Sequence, residues 1–201
     1  MLKLNRSSRG GILRVSLVII TLLTGAAGTY LLLLVLSPVA APYMSMKPID
    51  IAKLPAPALH DNRIIIPKIG VDIAYGEGAA ALDRGAQWRA PTSGNPLDGG
   101  NFVIAAHRFS IQPTPQSTIE KSPFYHIDSL AIGDKIVVDY EGKRYGYEIT
   151  KRFDAEPTDI EIERRTDAPT LTLYSCELGG SDAGRIVFQG KRLGEIDLSK
   201  S

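Results

Sequence analysis

A cysteine, a histidine and an arginine, each at the end of a strand-like run, are the residues whose combined chemistry could make this chain a catalyst. Cys176 is the single cysteine among 201 residues. It closes the stretch TLTLYSC, in which Thr170, Thr172 and Tyr174 alternate with Leu171 and Leu173, the period-two pattern of a half-buried strand. That alternation puts Cys176 on the polar face. The loop ELGGSDAG follows with Gly179, Gly180 and Gly184, and a second alternating run opens at Arg185 with Ile186, Val187 and Phe188. Antiparallel pairing of the two runs would bring thiol and guanidinium to one rim. Further upstream, the apolar run from Phe102 to Ala106 reads as a buried central strand that surfaces at His107 and Arg108. The three residue types form a coherent set. A thiolate attacks a carbonyl, an imidazole protonates the departing amine, and a guanidinium holds the developing oxyanion.

Each residue also has a purely structural reading. A free cysteine commonly packs as a small hydrophobe, His107 could be a satisfied histidine at a strand end, and Arg185 a solvated hairpin charge. The polar-face position beside a glycine loop, with a cation on the next strand, favours a reactive thiol for Cys176. His60 and His126 have no comparable setting and read as incidental. Three scattered histidines and one cysteine do not supply a zinc site. The glycines of ELGGSDAG are not a phosphate loop, because no Lys-Ser/Thr pair opens a helix behind them.

The elements that must position these residues follow from composition. The net charge is +1 and 44% of residues are hydrophobic, enough for one globular domain plus an appendage and no reason to expect nucleic acid. Lys3, Arg6, Arg9 and Arg14 crowd the start, and the first acidic residue is Asp50. No charge falls between Val15 and Leu36, and these 22 residues would make a helix about 33 Å long, matching the hydrocarbon core of a bilayer. The run is longer than a signal-peptide core and no small-x-small site follows it, so an uncleaved anchor is expected. The positive-inside rule then puts the N-terminus in the cytoplasm and the remainder outside the cell. An unpaired cysteine outside the membrane is either an intermolecular bridge or a reactive thiol.

The expected organisation is a basic N-terminus over 1–14, a transmembrane helix over 15–36, a linker over 37–60 and a β-domain over 61–201. Pro38, Pro42, Pro48, Pro55 and Pro57 make the linker an extended, poorly packed spacer. RIIIPKIGVDIAY is β-branched, and Pro67 within it predicts an edge or kinked strand. Residues 81–100 are rich in turns. Residues 110–122 read as loop, and Ser122-Pro123 as the start of a short helix over FYHIDSL. DKIVVDY and KRYGYEITKRF form a hairpin about Glu141-Gly142, although the dipeptides preferred for type I′ turns are absent. AEPTDIEIERRTDAP is a charged loop with room for one helical turn. Six to eight strands with little helix predict an all-β barrel or sandwich of roughly 140 residues.

In this order, RIIIPKIGVD, Leu82 with Gly85, GGNFVIAAHR, FYHIDSLAIGDKI, TLTLYSC and RIVFQGKRL make a chain that resembles the sortases, membrane-anchored cysteine transpeptidases that attach proteins to the cell wall or assemble pili. The resemblance runs from about Arg63 to Leu193. It implies a closed eight-stranded β-barrel with one or two short helices, His107 as general acid/base, Cys176 as nucleophile and Arg185 as the oxyanion or substrate-positioning cation. It further implies cleavage of a Leu-Pro-any-Thr-Gly-like sorting signal after Thr, a thioester intermediate, and transfer to an amine of lipid II, peptidoglycan or a pilin lysine. No cofactor is implied. Some members bind calcium in the loop that here holds Asp154, Glu156, Asp159, Glu161 and Glu163, but those residues read as a solvated charged loop. Ser175 stands where the family usually has Thr, and Ala106 where Gly commonly precedes the histidine. The pattern around Trp88 is altered. No Asp-Pro-aromatic lid occurs in 37–62 and no second apolar span follows, which speaks against the pilin-polymerising type. Two other readings stay open: a thiol protease that hydrolyses, and an inactive anchored barrel that binds peptides.

Overall fold

The computed structural model describes residues 7–196; Lys3, Arg6 and the last five residues of the expected 61–201 domain lie outside them. Helix α1 (Ser7–Ala40) contains a stretch, Leu13–Ala40, long and apolar enough to cross a membrane. Leu17, Ile19, Leu22, Leu32 and Val35 are exposed on all sides of it. A helix apolar all round is stable only in apolar surroundings. Thr21, Thr24 and Thr29 return their hydroxyls to the carbonyls four residues back, so these three donors are satisfied within the helix.

The proline-rich segment is extended but runs against the barrel. Prolines lack N–H donors yet keep their carbonyls, and these carbonyls are used. His126 Nε2 bonds the Pro42 oxygen at 2.7 Å, Arg144 Nη2 donates to the Pro55 oxygen at 2.9 Å, and Ile49 N donates to the Pro67 oxygen at 2.9 Å. Gly70, at φ +70°, is part of this docking, because a Cβ there would collide with the Lys47 carbonyl.

The β-domain is a closed barrel. Its strands are β1 (Arg63–Ile66), β2 (Val71–Glu77), β3 (Ala86–Trp88), β4 (Gly94–Asn95), β5 (Gly99–Ala106), β6 (Lys135–Tyr140), β7 (Lys143–Ala155), β8 (Thr170–Glu177) and β9 (Gly180–Glu195). Eight of them form the ring β3-β2-β1-β6-β7-β9-β8-β5, closed by antiparallel pairing of β3 with β5, and the two-residue β4 sits beside β5. Two pairs in the ring are parallel, β2 with β3 and β5 with β8. Two helices of one to two turns, α2 (Ala79–Leu82) and α3 (Pro115–Glu120), lie in the connections. Inward residues alternate along each strand as a barrel requires. Ile64 and Ile66, Phe102 and Ile104, Tyr145 and Tyr147, Leu171 and Leu173, and Ile186 and Phe188 meet in one core. Trp88 also points inward, in edge contact with Tyr75, Phe102 and Tyr140, so its bulk fills the barrel and leaves the outer surface free.

Three local expectations change. RIIIPKIGVDIAY is a hairpin, not one strand: Pro67 opens a 3₁₀ turn between β1 and β2, and β1 is flanked by β2 and β6. Because the proline lies in the turn, no ladder bond is lost. FYHIDSL holds only a 3₁₀ turn at Ile127–Ser129, whereas α3 occupies the stretch expected to be loop. Its start carries a helix signal, Thr114 as N-cap and Pro115 at the first helical position, with Thr114 and Ser117 bonded reciprocally. At the β6–β7 turn, Glu141 and Gly142 both take positive φ, 49° and 73°, the type I′ pattern despite the unfavoured glutamate.

At the same end of the barrel, Arg144 and Asp139 form a buried two-pronged ion pair with side chains 2% and 4% exposed. Removing one partner leaves a desolvated charge. Arg144→Met is expected to destabilise the full-length protein by about 3–5 kcal/mol, a drop on the order of 10 °C in thermal midpoint. A midpoint within about 2 °C of the parent would show that water reaches Asp139.

Candidate active site

Parallel strands β5 and β8 carry the site. Their register runs from Asn101 opposite Thr170 to Ala105 opposite Tyr174. Continuing it places Ala106 beside Ser175 and His107 beside Cys176. The Ser175 hydroxyl, buried in the barrel, donates to the Ala106 carbonyl at 2.7 Å, so the register does continue. On the other side of β8, Cys176 faces Arg185 across the antiparallel β8–β9 pair. The tight turn and wide bulge between Glu177 and Arg185 return the chain to that position.

Cys176 and Arg185 on neighbouring strands and His107 just past the end of β5 thus lie at one rim, and all three line one groove of about 350 Å³. Cys176 and Arg185 are half-buried, and the His107 side chain is 34% exposed. The His107 carbonyl accepts from Phe124 N at 3.0 Å, and its Nε2 lies 3.9 Å from Asp83 Oδ1. Arg185 Nη1 donates to the Gly184 carbonyl at 3.1 Å. Cys176 thus shares the groove with a histidine that follows the end of one neighbouring strand and an arginine that it faces on the other. Chemically, this is a thiol with a proton carrier and a fixed cation, the requirements for acyl transfer through a covalent intermediate.

The outer wall of the groove is the β7–β8 connection. Ile162 packs on Val103, Ala105, Tyr174 and Val187, a second apolar cluster on the outer face of the sheet. A polar network holds the wall there. Asn101 Nδ2 donates to the Ile162 and Arg164 carbonyls at 3.0 and 2.8 Å, while Thr172 donates to Asn101 Oδ1 at 2.7 Å. Glu163 Oε1 accepts from Arg89 Nε at 2.9 Å and from the Tyr174 hydroxyl at 2.6 Å. Burial pushes the Tyr174 phenol well above its usual range and the Glu163 bond adds to this, so it is a neutral donor throughout the physiological range. The same carboxylate, by accepting from Arg89, raises that guanidinium further.

Sequence reading did not find Asn101 or Arg89, and it took Glu163 for part of a solvated charged loop, whereas Glu163 is bonded to Arg89 and Tyr174. Only Asn101 carried a signal, a polar residue at the head of a strand otherwise buried. His60 lies in the turn ahead of β1, and His126 anchors the juxtamembrane segment; neither lines the groove.

A second cavity, of about 450 Å³, adjoins the groove behind Arg185 and is lined by Asp154, Glu156, Asp159 and Glu177. Several carboxylates of the acidic loop are committed to other partners. Glu163 is held by Arg89 and Tyr174, Glu161 pairs with Arg164, and Asp159 caps Glu161 N. Among the described residues no three His, Cys, Asp or Glu converge as metal ligands.

A family model described as the sortase domain matches residues 64–193. Among solved structures, a sortase D5 transpeptidase of Clostridium perfringens is 29% identical with a TM-score of 0.54, over 66% of this chain and 78% of that one. Sortase A of Listeria monocytogenes is 20% identical with a TM-score of 0.54, over 71% of this chain and 92% of that one. Sortase C1 of Streptococcus agalactiae is 19% identical with a TM-score of 0.56, over 85% of this chain and 91% of that one. The latter two share the fold. No curated protein sequence matches the chain.

Proposed function

This chain belongs to the sortase family, and from that membership we propose that it is an anchored cysteine transpeptidase that cuts a Leu-Pro-any-Thr-Gly-like sorting signal between Thr and Gly and passes the acyl fragment to an amine. One observation carries the reading. His107, Cys176 and Arg185, the residues whose chemistry the reaction needs, line one open groove from three adjacent strand ends.

In the first half-reaction the Cys176 thiolate attacks the threonine carbonyl carbon, and the negative charge that moves to the carbonyl oxygen is held by the Arg185 guanidinium. Collapse breaks the Thr–Gly bond, and His107 protonates the departing amine, leaving a thioester on Cys176. In the second half-reaction the acceptor amine attacks the thioester carbonyl and gives its proton to His107. Collapse expels the Cys176 thiolate, and a new amide has formed. The apolar side chains of Leu82, Ala105 and Ile160 and the pinned Ile162 wall give an extended peptide a groove to lie in. Helix α1 anchors the enzyme, with the basic N-terminus in the cytoplasm and the barrel outside, where secreted sorting signals and the lipid II, peptidoglycan or pilin amines are found.

The test is mass spectrometry of the intact protein incubated with candidate sorting peptides, with and without an added amine. An acyl adduct on the protein, with a peptide–amine product that forms only when amine is added, is the expected result. Cleavage at the same rate and to the same acid product regardless of amine would make this a thiol hydrolase. No adduct and no cleavage with any candidate peptide would favour a binding protein.

A further inference from the structure

The backbone ladder between β5 and β8 ends at Ala105 and Tyr174, one residue short of Ala106 and Ser175 and two short of His107 and Cys176. Beyond that point strand ends fray unless something else holds them. Two side-chain bridges take over. Ser175 bonds the Ala106 carbonyl at 2.7 Å, and Arg108 Nη1 donates to Glu177 Oε2 at 3.2 Å. In the parallel register these are the pairs 106/175 and 108/177, and His107/Cys176 is the pair between them. Arg108 is 4% exposed, and its other arm is fixed by Asp128 Oδ2 at 2.9 Å, on the 3₁₀ turn Ile127–Ser129. A guanidinium buried this far is tolerable because two carboxylates compensate it. The pair it forms with Glu177 joins the residue after the histidine to the residue after the cysteine.

We propose that Arg108 is a positioning residue, a clamp that, by holding Glu177 on one side and Asp128 on the other, sets the spacing of His107 and Cys176 beyond the end of the β-ladder. The proposal rests on the transpeptidase reading only for its kinetic consequence. The geometric consequence, control of the thiol's surroundings, is independent of it.

The experiment uses the full-length protein and three variants at the half-exposed ends of the clamp, Glu177→Ala, Glu177→Gln and Asp128→Ala, which leave the buried guanidinium in place. Three quantities are read: kcat and KM with a sorting peptide and amine, the pH profile of Cys176 alkylation by iodoacetamide, and the thermal midpoint. Glu177→Ala is expected to lower kcat about tenfold with KM within about twofold, by loosening a geometry in which small misplacements are expensive. It should also alter the alkylation profile while moving the thermal midpoint little. Glu177→Gln, whose amide oxygen still accepts from Nη1, should recover most of kcat. Asp128→Ala should show a smaller loss of the same kind. Parent-like kcat and parent-like alkylation in Glu177→Ala overturn the proposal. So does a fall in kcat that only tracks the thermal midpoint while alkylation is unchanged. If the parent shows no transfer at all, the alkylation profile decides alone: a changed profile upholds the clamp although the transpeptidase reading has failed, and an unchanged one removes both.

Discussion

Cys176→Ala is expected to abolish the acyl adduct and to lower peptide cleavage by on the order of 10⁴-fold or more, about 5 kcal/mol or more of transition-state stabilisation. The groove offers no second thiol, since this is the only cysteine in the chain. The neighbouring hydroxyl cannot replace it, because Ser175 points into the barrel and is committed to the Ala106 carbonyl. The side chain is half-buried at the groove rim and packs against no core cluster, so its loss should leave folding intact. Equal thermal midpoints of parent and variant verify that point. Iodoacetamide should label the parent once and the variant not at all. Residual cleavage above about 1% of the parent rate, by correctly folded variant, would mean that the bond is broken without a covalent intermediate and would remove the basis for transfer.

For Arg185, the expected result is a loss in kcat of about 10²–10³-fold in Arg185→Ala, the scale set by removing one donor from an oxyanion site, or ~2.7–4 kcal/mol. Arg185 lies directly across the β8–β9 pair from Cys176, so the cation is fixed to the nucleophile by the sheet itself. Arg185→Lys should recover only part of the loss. A lysine keeps the charge but not the planar fork that holds two oxygen sites at once. Alkylation of Cys176 should persist in both variants, which separates a missing oxyanion partner from a missing nucleophile. Were Arg185→Ala to raise KM alone and leave kcat unchanged, the guanidinium would be a peptide-binding residue, and the oxyanion would have to be held elsewhere.

How much of this was legible varies element by element. The alternation in TLTLYSC and RIVFQGK announced two strands and the face on which Cys176 sits, but residues 171–175 are buried on both faces and not half-buried, because the β7–β8 connection covers the outer one. The apolar run ending at His107 announced a buried strand, which is β5. The short elements were less legible. Helix α3 lies where loop was expected, although Thr114-Pro115 is a recognisable helix start, because the polar composition of 110–122 outweighed its cap. Pro67 suggested an edge, but it occupies a turn, a distinction that depends on where the chain folds back. The altered pattern around Trp88 gave no hint of where the side chain lies, which is in the barrel interior against Tyr75, Phe102 and Tyr140.

The sequence by itself determined the strand faces, the apolar helix and the three reactive residue types, since each depends on neighbours a few positions away along the chain. Only the tertiary structure decided that the ring closes by pairing β3 with β5 and includes two parallel pairs, that Asn101 and Glu163 pin the groove wall, and that Arg108 meets Glu177 and Asp128. The bonds of Asn101 to the wall and of Arg108 to Glu177 join residues 61 to 69 positions apart, and Arg89 reaches Glu163 across 74. No local preference encodes such a meeting. It arises when burial of the barrel core fixes the register, and the polar side chains left at the rim then find their partners across it.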